Sequence, residues 1–411
     1  MESNEKWGFS TQCLHGYENN SANESHILPI YPSSSFVFET LEESIDVFTG
    51  QKTGHVYSRY GNPTVETVAS KIAALEGYGT PGDYWGLLTS SGMSAIYVVL
   101  RTLLKPGDAL LCPHQLYGGT TELLQKVFQP MGVTLIQTDF SQPERIESQL
   151  VSVGNIRAMY LETPSNPTLQ CFDLRSISNL GARYGVKIVV DNTFPTPFHQ
   201  QPLLLGADYV IHSTTKYLNG HGNGIAGVLV GKKGIEERYP FWQNVKLMGV
   251  NCSPFEAWLV YNGLKTLALR MSRHSDNALQ LATFLETHPS VEKVHYPGLP
   301  MHEGHLVANR QMKHGFGGML SFTIRGGTSQ QVARCMNSLQ LATQAPTLGD
   351  VDTLVMHPFT SSHLKVSNEQ KLIEGVTENL IRVSVGIEDA SDLIADFDRS
   401  LSLSNGLNQS S

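Results

Sequence analysis

The chain has 411 residues, 16% of them charged and 40% hydrophobic, with a net charge of -8, an ordinary globular composition with room for two sizeable cores. The acidic balance argues against a nucleic-acid or anionic-membrane partner, since both call for clustered basic charge, and favours small-molecule chemistry. Five widely spaced cysteines (Cys13, Cys112, Cys171, Cys252 and Cys335) include no CxxC pair, which excludes a disulfide framework and a zinc site.

The opening MESNEKWGFS (Met1 to Ser10) is polar and charged, and no apolar run approaches the length of a span. Neither a signal peptide nor a membrane helix is expected, and a reducing, cytoplasmic setting is the default. Residues 1–63 carry little periodicity and read as an arm with local turns. From residue 64 the chain alternates helical segments, such as Thr64 to Gly77 and Arg175 to Gly185, with short β-rich runs. The strand candidates are Tyr84–Thr89, Asp108–Pro113, Val133–Asp139, Ile156–Thr163, Ile188–Asn192, Tyr209–Ser213 and Gly224–Gly231. This alternation predicts an α/β domain over 64–262, a mostly parallel seven-stranded sheet with helices on both faces. Ser253 to His288 reads as one long or kinked helix. Beyond it, strand candidates Val291–Gly298, Gly317–Gly326 and Leu380–Glu388 with helices near Gln331–Leu339 and Ala390–Leu401 predict a smaller α+β domain over 263–411. The tail Ser402 to Ser411 reads as loose.

Two positions stand out against this background. Lys216 lies in HSTTKYLNGHG (His212 to Gly222), and Asp191 ends the apolar run KIVVDNT (Lys187 to Thr193). A lysine on a Ser/Thr-rich loop can form a Schiff base with an aldehyde, and once displaced by a substrate amine it is a free base. A carboxylate at a strand end can hold a pyridine nitrogen protonated, which is what makes the ring withdraw electrons. Together they describe a pocket for pyridoxal 5'-phosphate (PLP). Ser213 and Thr215 supply hydroxyls suited to its phosphate. Gly92 and Met93 in SSGMSAI (Ser90 to Ile96) supply amides at the start of a predicted helix. A lone Lys is commonly a surface residue and a lone Asp commonly a turn former; the joint placement of all three segments at the carboxyl edge of one sheet carries the signal.

YSRYGNPT (Tyr57 to Thr64), SSGMSAI, LYGGT (Leu116 to Thr120), ETPSNPTL (Glu162 to Leu169), DNTFPTP (Asp191 to Pro197), HSTTKYLNGHG and IRVSVGIED (Ile381 to Asp389) resemble, in order and spacing, the Cys/Met-metabolism PLP enzymes over nearly the whole chain. That group includes cystathionine γ-synthase, cystathionine γ-lyase, methionine γ-lyase and O-acetylhomoserine sulfhydrylase. The resemblance implies a fold-type-I transferase and a homotetramer built from two-site dimers. It implies Lys216 as the Schiff-base lysine, Asp191 as the pyridinium partner, and Tyr117 as the ring that stacks on the cofactor and handles protons at the leaving group. It also implies that Tyr57 and Arg59 reach the phosphate of the neighbouring subunit. Arg382 then binds the substrate carboxylate, with Asn166 near it and near the cofactor's ring oxygen, and Thr347 takes a substrate-side place usually held by serine.

Several positions depart from the family pattern. Gly222-Asn223 replaces a common Ser-Asp. Gly119 stands where methionine γ-lyases carry cysteine, which weakens a strict methionine preference, and Pro346 stands where many relatives carry glutamate, which weakens a strict cystathionine preference. The expected reaction is elimination at the γ-carbon of a sulfur-containing or O-acylated homoserine-type amino acid, giving a 2-oxo acid and ammonia. Replacement at the same carbon is the alternative, and a PLP-binding protein without turnover the second. Gly222 to Gly227 formally matches GxGxxG but leads into a strand, so no dinucleotide is expected, and His302/His305 lack acidic companions on a helix, so no metal is expected.

Overall fold

The computed structural model describes residues 7–15, 25–232, 234–362, 364 and 368–405. Its centre is a seven-stranded sheet: β1 (Tyr84–Thr89), β2 (Ala109–Pro113), β3 (Thr134–Thr138), β4 (Ile156–Glu162), β5 (Lys187–Asp191), β6 (Tyr209–Ser213) and β7 (Gly227–Lys232). The spatial order is β1-β7-β6-β5-β4-β2-β3. Pairs β3-β2-β4-β5-β6 are parallel, and β7 runs antiparallel to both its neighbours. All seven predicted strands are present, with ends shifted by three residues at most.

Strands β2 and β4 to β7 are apolar and buried almost throughout, as expected where helices cover both faces. The helix Pro63–Glu76 opens on Asn62, whose side chain accepts from the Thr64 N–H, with proline in the first turn. Such a cap is worth about 1 kcal/mol. Helix Gly92–Leu103 opens on Ser91, whose hydroxyl accepts from the Ser94 N–H.

A second sheet has the order β10-β11-β12-β9-β8, with β8 (Val291–His295), β9 (Met319–Ile324), β10 (Thr343–Gln344), β11 (Leu354–Met356) and β12 (Leu380–Ser384). The two shortest, β10 and β11, were not expected, since two or three residues are too few for alternation to register. The stretch expected as one long or kinked helix is two, Pro254–Lys265 and Leu267–Thr287, parted at Thr266. The second begins in the core of the first sheet, with Leu267 and Met271, and ends in that of the second, with Leu281 and Leu285.

The arm is more regular than its sequence suggests. It holds helices Phe9–His15 and Leu41–Phe48, the latter capped by the Thr40 side chain. The helix Ala390–Asn405 extends through the first four residues of the tail read as loose; 406–411 lie outside the described residues, as do Met1–Lys6 of the opening segment. Among the described residues no helix is long and apolar enough to cross a membrane.

Candidate active site

The parallel strands bring their carboxyl ends to one edge. Glu162 closes β4, Asp191 closes β5 directly beside it in register, and Ser213 closes β6. Lys216 follows on the β6–β7 connection. Such an edge is where ligands bind in sheets of this kind.

Lys216 is partly buried, and its Nζ donates to the Thr347 hydroxyl at 2.8 Å. Burial pushes its amine down to about 8; the nearby Arg382 acts in the same direction and Asp350 opposes it. Arg382, on β12, is 4% exposed. It donates through Nη2 to the Thr347 carbonyl at 3.0 Å and through Nη1 to Asn166 Oδ1 at 3.3 Å. Its Nε is buried without a partner. Leaving a buried donor without a partner costs about 1–3 kcal/mol, and more when it is charged, so an anion that completes the fork is a strong complement. The segment holding Asn166 has two cis prolyl bonds, Thr163-Pro164 and Asn166-Pro167.

Asp191 accepts from the Thr193 N–H at 2.9 Å and from the Tyr160 hydroxyl at 3.4 Å. Burial pushes its carboxyl above the ordinary range, while Thr193 and the neighbouring His212 pull it back. Thr193 also ties the two strand ends together, since its hydroxyl accepts from the Ser213 N–H at 2.9 Å. Beneath them lies fully buried Glu76. Its Oε1 is 2.6 Å from His212 Nε2 and accepts from Asn192 Nδ2 at 2.9 Å, so one carboxyl anchors the residues next to both Asp191 and Ser213.

Gly92 packs against Ser213 so closely that a Cβ there would lie 2.7 Å from the serine Cβ. The first turn of the Gly92–Leu103 helix therefore abuts the β6 end, and with it the Met93 amide. The Thr215 hydroxyl is engaged with the backbone of Ala226, donating at 3.2 Å and accepting at 3.1 Å. Tyr117, 45% exposed, precedes the helix Gly118–Leu123. Its N–H donates to Glu162 Oε1 at 2.9 Å, and its phenol acts electrostatically on Arg382. A Cβ on Gly119 would lie 2.6 Å from the Tyr117 ring and 3.2 Å from Met93 Sδ. Any side chain at position 119 would have to displace that ring.

Tyr57 and Arg59 are held elsewhere within this chain. Arg59 donates to the Lys246 carbonyl at 2.7 Å, with its guanidinium 5.0 Å from the Tyr60 ring centroid and 5.6 Å from that of Tyr57. Tyr57 itself is 41% exposed.

Some contributors were not singled out from sequence. Glu162 was quoted within its motif, but only the register with Asp191 reveals its place. Arg270, 4% exposed, donates to the Tyr217 carbonyl at 2.7 Å and the Gly263 carbonyl at 2.8 Å, bracing the lysine loop from a distant helix. Asp350 faces Lys216 and the Gly222 amide, and it accounts for the Gly222 departure. That residue has φ +63°, and a Cβ on it would lie 2.8 Å from the Asp350 carboxylate, so a side chain would be strained and crowded. Asn223 accepts from the Asn219 amide at 2.8 Å.

An unsatisfied buried guanidinium, an amine of lowered basicity and a strand-end carboxylate at one sheet edge fit an amino-acid substrate and a pyridine aldehyde carrying a phosphate. The fold is that of the type-I PLP-dependent enzymes. A solved structure of cystathionine γ-synthase from Xanthomonas oryzae pv. oryzae, in complex with aminoacrylate and cysteine, superimposes with a TM-score of 0.90 at 36% identity, covering 97% of this chain and 99% of that one. The family described as Cys/Met metabolism PLP-dependent enzyme matches residues 10–402. An L-methionine γ-lyase of Pseudomonas putida is 39% identical over 403 residues, 98% of this chain and 99% of the relative. A cystathionine γ-synthase of Mycobacterium leprae (strain TN) is 40% identical over 396 residues, 96% and 97% of the two chains. The chain belongs to the Cys/Met-metabolism family of PLP-dependent enzymes, and its cofactor is pyridoxal phosphate.

Proposed function

We propose that the protein eliminates the γ-substituent of a sulfur-containing or O-acylated four-carbon amino acid, releasing a 2-oxo acid and ammonia. The observation that carries the reading is the Lys216–Thr347–Arg382 relay: an amine of lowered basicity beside a guanidinium with an open donor. Pyridoxal phosphate, when bound, supplies the electron sink that acidifies the substrate's α- and β-carbons.

Lys216 would hold the cofactor, with Asp191 at its ring nitrogen. Gly92, Met93, Ser213 and Thr215 would hold its phosphate, helped by Tyr57 and Arg59 of a neighbouring copy, and Tyr117 would lie against its ring. Arg382, Asn166 and Thr347 would seat the substrate carboxylate. With the carboxylate seated, Lys216 removes the α-proton and then a β-proton, whose electron pair expels the γ-substituent, and afterwards returns protons to the carbon skeleton, its free-base fraction being appreciable near neutrality. The Tyr117 phenol donates a proton to the departing sulfur or oxygen. Water then completes release of the 2-oxo acid and ammonia.

Resemblance to the P. putida methionine γ-lyase supports elimination. Resemblance to the M. leprae and X. oryzae cystathionine γ-synthases supports a second reading, in which a thiol adds at the γ-carbon instead. Incubation with methionine, cystathionine, O-acetylhomoserine and O-succinylhomoserine, each with and without cysteine, separates the two. Elimination predicts 2-oxobutanoate without added thiol; rapid cystathionine formation with little 2-oxobutanoate would overturn it.

The arm, residues 1–63, would complete a neighbour's site in a homo-oligomer, a tetramer of two-site dimers, with 64–262 as the PLP-binding domain and 263–411 as the smaller one. Exposed apolar side chains on the arm support this, with Val37 97%, Leu41 71% and Phe48 62% exposed, a pattern that marks contact surfaces. A cytoplasmic location suits five cysteines that are all free.

A further inference from the structure

Glu162 has no part in the roles assigned above, yet it is a buried acid at the sheet edge. It is 7% exposed and lies in register beside Asp191. Its Oε1 accepts the Tyr117 N–H at 2.9 Å and faces the Thr120 hydroxyl at 3.5 Å. Tyr160, two residues back and so on the same face of β4, acts on Glu162 and donates to Asp191. From β2, Cys112 faces it, a thiol that burial and Glu162 itself push up. Among the described residues, the groups acting on Glu162 are thus one acid, weak acids and neutral donors, with no cation.

Two neighbouring carboxyls withdrawn from water do not readily both ionise without an opposing charge, and they share their protons as a pair. Of the two, Asp191 is the one that His212 holds down, and a protonated pyridine nitrogen beside it would supply an opposing charge. The proton of the pair therefore falls to Glu162.

We propose that Glu162 is a positioning residue that works in its neutral, protonated form: it anchors the turn carrying Tyr117 and leaves Asp191 as the ionised member of the pair. This rests on the roles proposed above for Tyr117 and Asp191. Burial, with Asp191 second, pushes the Glu162 carboxyl up from 4.5 to about 8 against the Tyr117, Thr120 and Tyr160 hydrogen bonds, which favour the charged form, so the neutral form persists through neutrality. Because the folded value is the higher one, the folded state binds the extra proton between those limits. The stability this group contributes is complete below the lower limit and is lost as pH rises through the upper one. A glutamine has the same shape, accepts the same N–H and is always neutral, so it should substitute well; alanine leaves the Tyr117 N–H without its acceptor.

The test compares the wild-type, Glu162→Gln and Glu162→Ala holoenzymes. At neutral pH, infrared spectroscopy should show the carbonyl stretch of a buried protonated carboxyl in the wild type and its loss in Glu162→Gln. The absorbance of bound pyridoxal phosphate, titrated into alkali, should show a transition near 8 in the wild type that is absent from Glu162→Gln. Turnover should fall less than about threefold in Glu162→Gln and about 10- to 100-fold in Glu162→Ala, the range for one orphaned buried hydrogen bond. Absence of the carboxyl band from the wild type, or a glutamine variant as impaired as the alanine one, would overturn the proposal. If Glu162→Ala does not fold, the band and the glutamine titration decide alone. Failure of the underlying cofactor reading would look different, as a wild-type protein without visible absorbance.

Discussion

Lys216 and Arg382 meet on a single residue, Thr347, which accepts the amine on its hydroxyl at 2.8 Å and the guanidinium on its carbonyl at 3.0 Å. An amine on the β6–β7 connection of the first sheet and a guanidinium on β12 of the second thus share one short linker. Displacing either one disturbs the other.

The lowered basicity of Lys216 can be read directly in the cofactor-free protein. Only the neutral amine reacts with an acylating or carbamoylating reagent, so labelling should rise with pH through a midpoint near 8 and then level off. Because burial and Arg382 are the causes, Arg382→Ala should move the midpoint upward. A midpoint at the ordinary lysine value in the wild type would contradict the burial seen here.

Tyr117→Phe keeps the ring and removes the proton. Loss of a general acid typically costs 10²- to 10⁴-fold, so kcat should fall by about 10²-fold or more while bound pyridoxal phosphate is retained. The loss should shrink for substrates whose leaving groups need no protonation. Cofactor loss with unchanged chemistry would remove Tyr117 from the acid role.

In the proposed assembly the arm would reach a neighbouring copy's cofactor through Arg59. Arg59→Ala should weaken retention of pyridoxal phosphate by about 10-fold or more, as expected for one charge-assisted contact, while circular dichroism stays unchanged. Unaltered affinity in a verified dimer would place the phosphate contact elsewhere.

The large sheet was legible because most of its strands are buried on both faces and read as apolar runs between turns. Lys216, Asp191, Ser213 and Gly92 were legible because each closes or follows such a run, and parallel pairing of β4 to β6, with β1 brought into the same direction by two antiparallel pairings through β7, sends those ends to one edge. Arg382 was visible only through its motif, for it sits on the second sheet and no periodicity links β12 to β6. Glu162 and Arg270 were passed over for a related reason: their importance lies in a partner far along the chain, Asp191 for the one and the Tyr217 carbonyl for the other. The break at Thr266 was indistinct because helical periodicity runs on through it, the interruption being one residue whose N–H turns back to Gly263 and Leu264.

The most direct test of the whole account is covalent mapping. The protein is loaded with pyridoxal phosphate, reduced with borohydride, digested and analysed by peptide mass spectrometry. The pyridoxyl mass should fall on the peptide carrying Lys216 and vanish in Lys216→Ala together with the visible absorbance and all turnover. A label on another lysine, or turnover surviving in Lys216→Ala, would contradict it.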